Sequence, residues 1–76
     1  MDISAITVAD KIEKIEIFLS TNAINGENQV VVEWEKFFIT VSERSQVLKV
    51  ISNYLRVEPY RIPGSHLGDY GFTVYL

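Results

Sequence analysis

Three residues of the types used by hydrolases lie within one short segment: Ser65, His66 and Asp69. In a nucleophilic triad the base must reach the nucleophile by a hydrogen bond, and the acid must orient the base from behind. Neighbours on one loop rarely meet that geometry, because triad residues converge from separate elements. We therefore interpret the segment as a turn built on Pro63-Gly64 and Gly68-Asp69, and we predict no catalytic residue and no enzyme.

Metal and phosphate chemistry are also weakly indicated. His66, Asp69 and Glu58 offer ligand atoms, but their spacing matches no established ligand pattern. The chain has no cysteine, which excludes disulfides and thiolate metal sites. The glycines of the same segment lack the sequence context of a P-loop or a dinucleotide-binding turn. We predict no metal and no cofactor.

The charges suggest two further kinds of surface. Lys49 and Arg56 would share one face of a predicted helix and Arg61 follows closely, which makes a small anion or RNA patch, although a net charge of −3 argues against nucleic acid. Glu33 and Glu35 flank Trp34 with period two, so they share one strand face. Residues 1–43 carry a net charge of −5 and residues 44–76 carry +2, a dipole suited to steering or to self-association.

Aromatic residues are the strongest candidates for contact with a partner protein, because aromatics carry much of the binding energy at interfaces. Trp34 is a candidate anchor, although its alternation with Val30 and Val32 favours a place in the core. Tyr60 and Tyr70 lie on a predicted loop, where exposure is expected. The predicted contact residues are Trp34, Tyr60, Arg61, His66, Asp69 and Tyr70, beside the acidic face of Glu33 and Glu35.

The element with the clearest pattern is a helix at about 43–56. Apolar residues recur at helical period from Val47 to Leu55, Thr40-Val41-Ser42-Glu43 fits a capping box, and Pro59 follows as a stop. Residues 29–41 are rich in β-branched and aromatic side chains and predict a strand. The parity of its apolar positions switches near Glu35-Lys36, which implies a bulge or a tight turn there.

The N-terminal 25 residues allow two interpretations. We favour a short helix near 4–13 followed by a strand near 14–22, with a hairpin turn at Asn25-Gly26. A single helix to residue 21, capped by Thr7-Val8-Ala9-Asp10, is the alternative. Residues 57–70 read as a loop, and a last strand from Phe72 to Leu76 follows, which could be an exposed edge that pairs with another chain.

These elements predict one small α+β domain over residues 1–76, with a small antiparallel sheet (a hairpin plus the C-terminal strand) packed by the helix at about 43–56 and a possible second, short N-terminal helix. The composition is 47% apolar with nine aromatic residues, more than so small a core easily buries. No stretch is apolar enough to span a membrane and no signal peptide is recognisable, so we expect a complete cytoplasmic protein.

The expected function is therefore a non-enzymatic protein-binding module that docks to a partner and could self-associate as a homodimer or act as an accessory subunit. One alternative is an acidic inhibitor of a nucleic-acid-handling enzyme, of the phage anti-defence or anti-CRISPR-like type. The other is a small accessory protein that binds anions or RNA through Lys49, Arg56 and Arg61.

Overall fold

The computed structural model describes residues 7–76. Helix α1 (Val8–Ile24) is followed by strand β1 (Gln29–Glu33), a 3₁₀ turn (Val41–Glu43) that continues into helix α2 (Arg44–Ser52), strand β2 (Arg56–Tyr60) and strand β3 (Gly71–Tyr75). The three strands form one antiparallel sheet in the order β1-β3-β2. The predicted α+β class, with helices packed on a small antiparallel sheet, is confirmed.

Helix α1 corrects the favoured interpretation of the N-terminal region, because a single helix runs through the predicted strand near 14–22. The start of the helix predicted near 4–13 lies outside the described residues. The Thr7 hydroxyl accepts from the Asp10 backbone N–H and the Asp10 carboxylate accepts from the Thr7 N–H, as the capping box predicts. The helical stripe overrides the local alternation because Ile15 and Leu19 are buried, whereas Ile17 faces outwards.

The hairpin predicted at Asn25-Gly26 is wrong for a related reason. Gly26 has a φ of 87°, and its N–H donates to the Ala23 carbonyl at the end of α1. A glycine with positive φ ends helices as readily as it makes hairpin turns. Strand β1 pairs with β3, not with the segment before it, and the hairpin of this fold is β2–β3.

Helix α2 is shorter than the predicted 43–56, because the chain turns at Asn53 and pairs as β2 from Arg56. The predicted cap is present: the Glu43 carboxylate accepts from the Thr40 N–H at 2.9 Å. Pro59 lies inside β2 and does not serve as the stop after the helix. An edge strand tolerates proline, since one side of its ladder has no partner.

Strand β3 is the centre of the sheet, so the prediction that the last strand is an exposed edge is wrong. The edges are β1 and β2. Gly71 sits where β3 passes closest to β1, and a Cβ there would lie 2.0 Å from the Val32 carbonyl oxygen. Phe72 and Val74 of β3 are fully buried, with Val32 from β1, Ile15 from α1, and Val47 and Ile51 from α2.

No helix among residues 7–76 is long and apolar enough to cross a membrane.

Candidate partner-binding site

One end of the sheet carries nearly all of the predicted contact residues. Glu33 and Tyr60 are both in register with Gly71, so β1 and β2 end where β3 begins. The turn Trp34–Ile39 and the loop 61–70 therefore leave the sheet from the same end. Only the strand register creates this juxtaposition, since the two segments are about thirty residues apart in sequence.

Trp34 links the turn to the loop 61–70 through hydrogen bonds made beneath the surface. Its backbone N–H donates to the Tyr70 carbonyl at 3.1 Å and its indole Nε1–H donates to the Gly68 carbonyl at 2.7 Å. Its ring lies 4.9 Å from that of Phe72, and only 3% of the residue is exposed. Trp34 is a core residue that offers no exposed ring to a partner, which corrects its place among the predicted contacts.

Tyr60 and Tyr70 are brought together as a pair. Their ring centroids are 5.6 Å apart, and the Tyr70 hydroxyl donates to the Glu33 carboxylate at 2.5 Å. That hydrogen bond, assisted by partial desolvation, raises the pKa of Tyr70 above its usual range. Tyr60 is exposed and Tyr70 half-buried, so Tyr60 presents the accessible face of the pair.

The loop 61–70 is held by its own hydrogen bonds. The Asp69 carboxylate accepts from the His66 backbone N–H, the Ser65 hydroxyl donates to the Ile62 carbonyl, and the Arg61 guanidinium donates to the Ser65 carbonyl. The Ser65 hydroxyl and the Asp69 carboxylate thus each serve a turn, and the structure shows no Ser65–His66 or His66–Asp69 side-chain hydrogen bond. Arg61, His66 and Asp69 are exposed around the loop.

Two exposed apolar residues of this loop, Ile62 and Leu67, escaped the sequence analysis. The available signal was an aliphatic side chain inside a segment rich in proline and glycine, where no helical or strand period requires one. They lie on the same loop that carries Arg61 and His66. The loop therefore presents apolar as well as polar groups to solvent.

An acidic pocket of about 320 Å³ opens beside the turn, and it unites both residues of the predicted acidic face with part of the predicted contact loop. We define the acidic pocket by its lining residues: Glu33, Trp34, Glu35, Ile39, Arg44, Asp69 and Tyr70. Glu33 ends β1 and Glu35 lies in the turn, so they meet at a pocket wall and not along one strand. The Arg44 guanidinium lies 5.4 Å from the centre of the Trp34 ring, and its buried Nε has no hydrogen-bond partner.

A second pocket at the same turn is lined by lysine and phenylalanine side chains. We define the lysine groove, of about 460 Å³, by its lining residues: Lys11, Lys14, Lys36, Phe37 and Phe38. Lys11 is paired with Glu43 at 2.8 Å, and Lys36 lies 3.5 Å from Glu33. Phe37 packs edge-on against Phe18 of α1, with the ring centroids 5.5 Å apart. Lys14 makes no ion pair with any of residues 7–76.

Phe38 combines two unusual properties. It is 79% exposed, and its φ of 56° is the only positive φ of a non-glycine residue among those described. Its N–H donates to the Glu35 carbonyl, and the Ile39 N–H donates to the Trp34 carbonyl at 2.9 Å, which closes the turn. The predicted parity switch near Glu35-Lys36 is thus confirmed as a tight turn. Phe38 was not among the predicted contact residues.

The predicted basic patch is not formed as expected. Because α2 ends at Ser52, Arg56 shares no helical face with Lys49. Its guanidinium instead lies 5.0 Å from the centre of the Tyr75 ring and 3.5 Å from the Glu58 carboxylate. Glu58 in turn accepts a hydrogen bond from the Tyr75 hydroxyl. Arg56 and Glu58 are therefore engaged on the sheet, away from Arg61 and His66.

An apolar groove of about 350 Å³ lies at the opposite end of the sheet, beside Leu76. Its rim is closed by the Tyr54 hydroxyl, which donates to the Glu16 carboxylate at 2.7 Å. Partial burial of the hydroxyl and this hydrogen bond raise the pKa of Tyr54 to about 12. None of the predicted contact residues lines this groove.

No group of three or more potential ligand side chains is placed to hold a metal ion within residues 7–76. Comparison with protein-family models, curated protein sequences and solved structures found no match to this chain.

Proposed function

We propose that this chain is a non-enzymatic protein-binding module that docks through Phe38 and the neighbouring loop 61–70. The observation that carries the proposal is the state of Phe38: a large apolar side chain, 79% exposed, held in a left-handed backbone conformation. Folding alone favours neither property at this position.

Both properties have an energetic cost. A left-handed conformation costs a residue with a Cβ roughly 1–2 kcal/mol, a cost that glycine avoids. Burying a phenylalanine side chain that was exposed gains roughly 1.5–3 kcal/mol, which a partner could supply. Strained conformations of this kind persist where the surrounding structure fixes them, and they cluster at functional sites. Here the turn is fixed by the buried residues Trp34 and Ile39 at its two ends.

The loop 61–70 supplies the rest of the proposed surface. Exposed Ile62 and Leu67 add apolar area next to the accessible ring of Tyr60, and Arg61 and His66 add polar groups. An apolar centre surrounded by polar residues is the usual anatomy of a protein interface. Asp69 faces the acidic pocket on the near side of the same loop.

The test is photo-crosslinking from position 38 in the native host cell. Phe38 is replaced by p-benzoylphenylalanine, which keeps an aromatic ring at the tip of the turn. A discrete protein adduct is expected, since the ring would be buried against the partner. The matched control carries the same amino acid at Ile24, which is 86% exposed at the end of α1. No adduct from position 38, or the same adducts from both positions, would contradict the proposal.

A quantitative version uses the adduct partner in purified form. Phe38→Gly should weaken its binding about 30-fold or more, as expected for an interface hot spot. Unchanged affinity would remove Phe38 from the interface. Because glycine suits the backbone conformation, a loss of binding by this variant would not come from unfolding.

A second candidate is an inhibitor that presents the acidic pocket to a basic surface of a nucleic-acid-handling enzyme. It is favoured by the convergence of Glu33, Glu35 and Asp69 on one pocket. Binding of this kind should weaken steeply with ionic strength and with Glu35→Lys. An affinity that does not respond to salt or to this charge reversal would rule out the inhibitor.

For either function we propose a cytoplasmic location. The support is the absence of cysteine from the sequence, since a small secreted domain commonly relies on disulfides.

A further inference from the structure

The two pockets at the turn Trp34–Ile39 are lined by side chains of opposite charge. The lysine groove holds Lys11, Lys14 and Lys36, whereas the acidic pocket holds three carboxylates and one arginine. The boundary between them falls between two consecutive exposed residues, Glu35 and Lys36, and the exposed ring of Phe38 follows two residues later. Both signs of charge therefore stand side by side on one exposed turn, which a surface needs if it is to pair with a second copy of itself.

We propose that the partner at this surface is a second copy of the chain, docked about a two-fold axis that passes beside Glu35 and Lys36. The inference rests on the proposed function and names its partner. A two-fold interface places the same patch of each copy against the other, so it requires a self-complementary surface. The rotation brings Lys36 of each copy to Glu35 of the other, and each lysine groove to an acidic pocket.

The apolar content of the patch fits the same arrangement. Close to the axis, the two exposed Phe38 rings would be covered by each other, each at the edge of its own lysine groove. A stable interface takes about 800 Å² from each partner, a modest fraction of the 5390 Å² surface of this chain. A domain of this length without disulfides also gains stability from association.

A polyanion fits the lysine groove less well than a second copy does. Lys11 and Lys36 already face the carboxylates of Glu43 and Glu33, and Asp10 and Glu13 lie beside Lys14 on α1. Phosphates would therefore approach a groove bordered by negative charge. A second copy brings lysines as well as carboxylates, so the negative border of the groove also meets opposite charge.

The test measures native mass by light scattering over a dilution series from the micromolar to the millimolar range. The wild-type chain should form a concentration-dependent dimer that weakens as salt rises. Lys36→Glu and Glu35→Lys should each weaken dimerisation about tenfold, because each variant faces itself with two like-charged pairs. Lys49→Glu, an equal charge change on the exposed side of α2, should leave the dimer unchanged.

The decisive experiment mixes the two charge-reversal variants. In a mixture of the Lys36→Glu and Glu35→Lys variants, both cross-copy pairs are again of opposite sign, so a heterodimer of wild-type affinity should form. The double variant that carries both changes should also recover. Both positions are exposed, so circular dichroism should show folded protein throughout.

Each failure has its own meaning. A wild-type chain that stays monomeric across the series, or one that is monomeric and binds a single-stranded oligonucleotide in the lysine groove, overturns the second copy as partner. A dimer that neither charge reversal weakens, or variants that mixing does not rescue, overturns this axis. The photo-crosslinking result separates this inference from the proposed function: an adduct of twice the chain mass supports both, and an adduct with a different protein supports the function alone.

Discussion

Two aromatic residues four positions apart on the same turn have opposite roles. Trp34 is buried, with its backbone and indole N–H groups both bonded to the 61–70 hairpin loop. Phe38 is exposed, makes no aromatic contact with residues 7–76 and occupies a strained backbone conformation. The hydrogen bonds and burial of Trp34 fix the shape of the turn. That shape exposes the Phe38 ring to solvent. A residue type alone therefore says little about role, because the turn geometry decides which ring is used for folding.

The largest expected difference comes from truncating each ring in turn. Trp34→Ala should lower the free energy of unfolding by about 3–5 kcal/mol, since it leaves a cavity beside Phe72 and removes the indole hydrogen bond to Gly68. Phe38→Ala should change it by less than about 0.5 kcal/mol, the usual range for surface substitutions. Urea denaturation followed by circular dichroism measures both. Comparable losses of unfolding free energy in the two variants would show that the two rings do not have opposite roles.

The second largest effect is expected from Gly71→Ala, which should lower the free energy of unfolding by about 1–3 kcal/mol or more. The added Cβ would meet the Val32 carbonyl oxygen at 2.0 Å, so β1 and β3 must separate where Glu33 and Trp34 begin the turn. The measurement is again urea denaturation. Gly64→Ala is a useful contrast, because its Cβ would meet nothing within 4 Å and only its φ of 92° opposes the change.

A spectroscopic readout shows whether the damage from Gly71→Ala reaches the turn. Trp34 is the sole tryptophan of the chain, so its fluorescence reports the packing of the turn. We expect a red shift in Gly71→Ala and none in Gly64→Ala. A Gly71→Ala protein with wild-type stability and fluorescence would show that the sheet relaxes locally without disturbing the turn.

Phe38→Gly should act in the opposite direction, with a gain of up to about 1 kcal/mol in the free energy of unfolding, because it relieves the left-handed strain at little cost in burial. Thermal and urea denaturation of the isolated protein measure the gain. Phe38→Val is the matched opposite, since β-branched residues tolerate positive φ least. If Gly destabilises and Val does not, the backbone at position 38 is not strained, and the argument for a docking role loses one of its two supports.

Much of the fold was predictable because its signals are local and periodic. Val47 and Ile51 repeat at helical spacing and are fully buried, and the two capping motifs at Thr7 and Thr40 lie where the sequence places them. Each sequence signal that led to a wrong prediction is compatible with two different local structures. Asn25-Gly26 suits a hairpin or a helix end, and Pro59 suits a stop or an edge strand. Long-range pairing, which the sequence pattern does not contain, decided both.

The candidate site was predictable only in its components. Glu33, Tyr70 and Asp69 were selected for separate reasons, and it is the register of β1 against β3 that places them at one pocket. Phe38 carries no sequence signal of its left-handed conformation, because that conformation results from closing the turn between buried Trp34 and Ile39. Site prediction failed where geometry depends on contacts distant in sequence.

The smallest expected effect concerns the edge of the lysine groove, where Lys11 and Glu43 form a part-exposed ion pair. The hydrogen bond from Lys11, together with one from the Thr40 N–H, lowers the pKa of Glu43. The unfolded chain then binds the Glu43 proton more readily than the folded one. The pair's contribution should be complete above the unfolded pKa and lost as pH falls through the lowered folded value.

We therefore expect Glu43→Gln to lose a little stability at neutral pH and to flatten the decline of unfolding free energy on acidification. Lys11→Met should flatten it in the same way, since it removes the main cause of the pKa shift. Glu35→Gln, at an exposed carboxylate with no ion pair among residues 7–76, is the control and should keep the wild-type slope. Parallel pH profiles for all four proteins would mean that the pair orders the groove without stabilising the fold, and the exposed flank would then owe its shape to the buried residues of the turn.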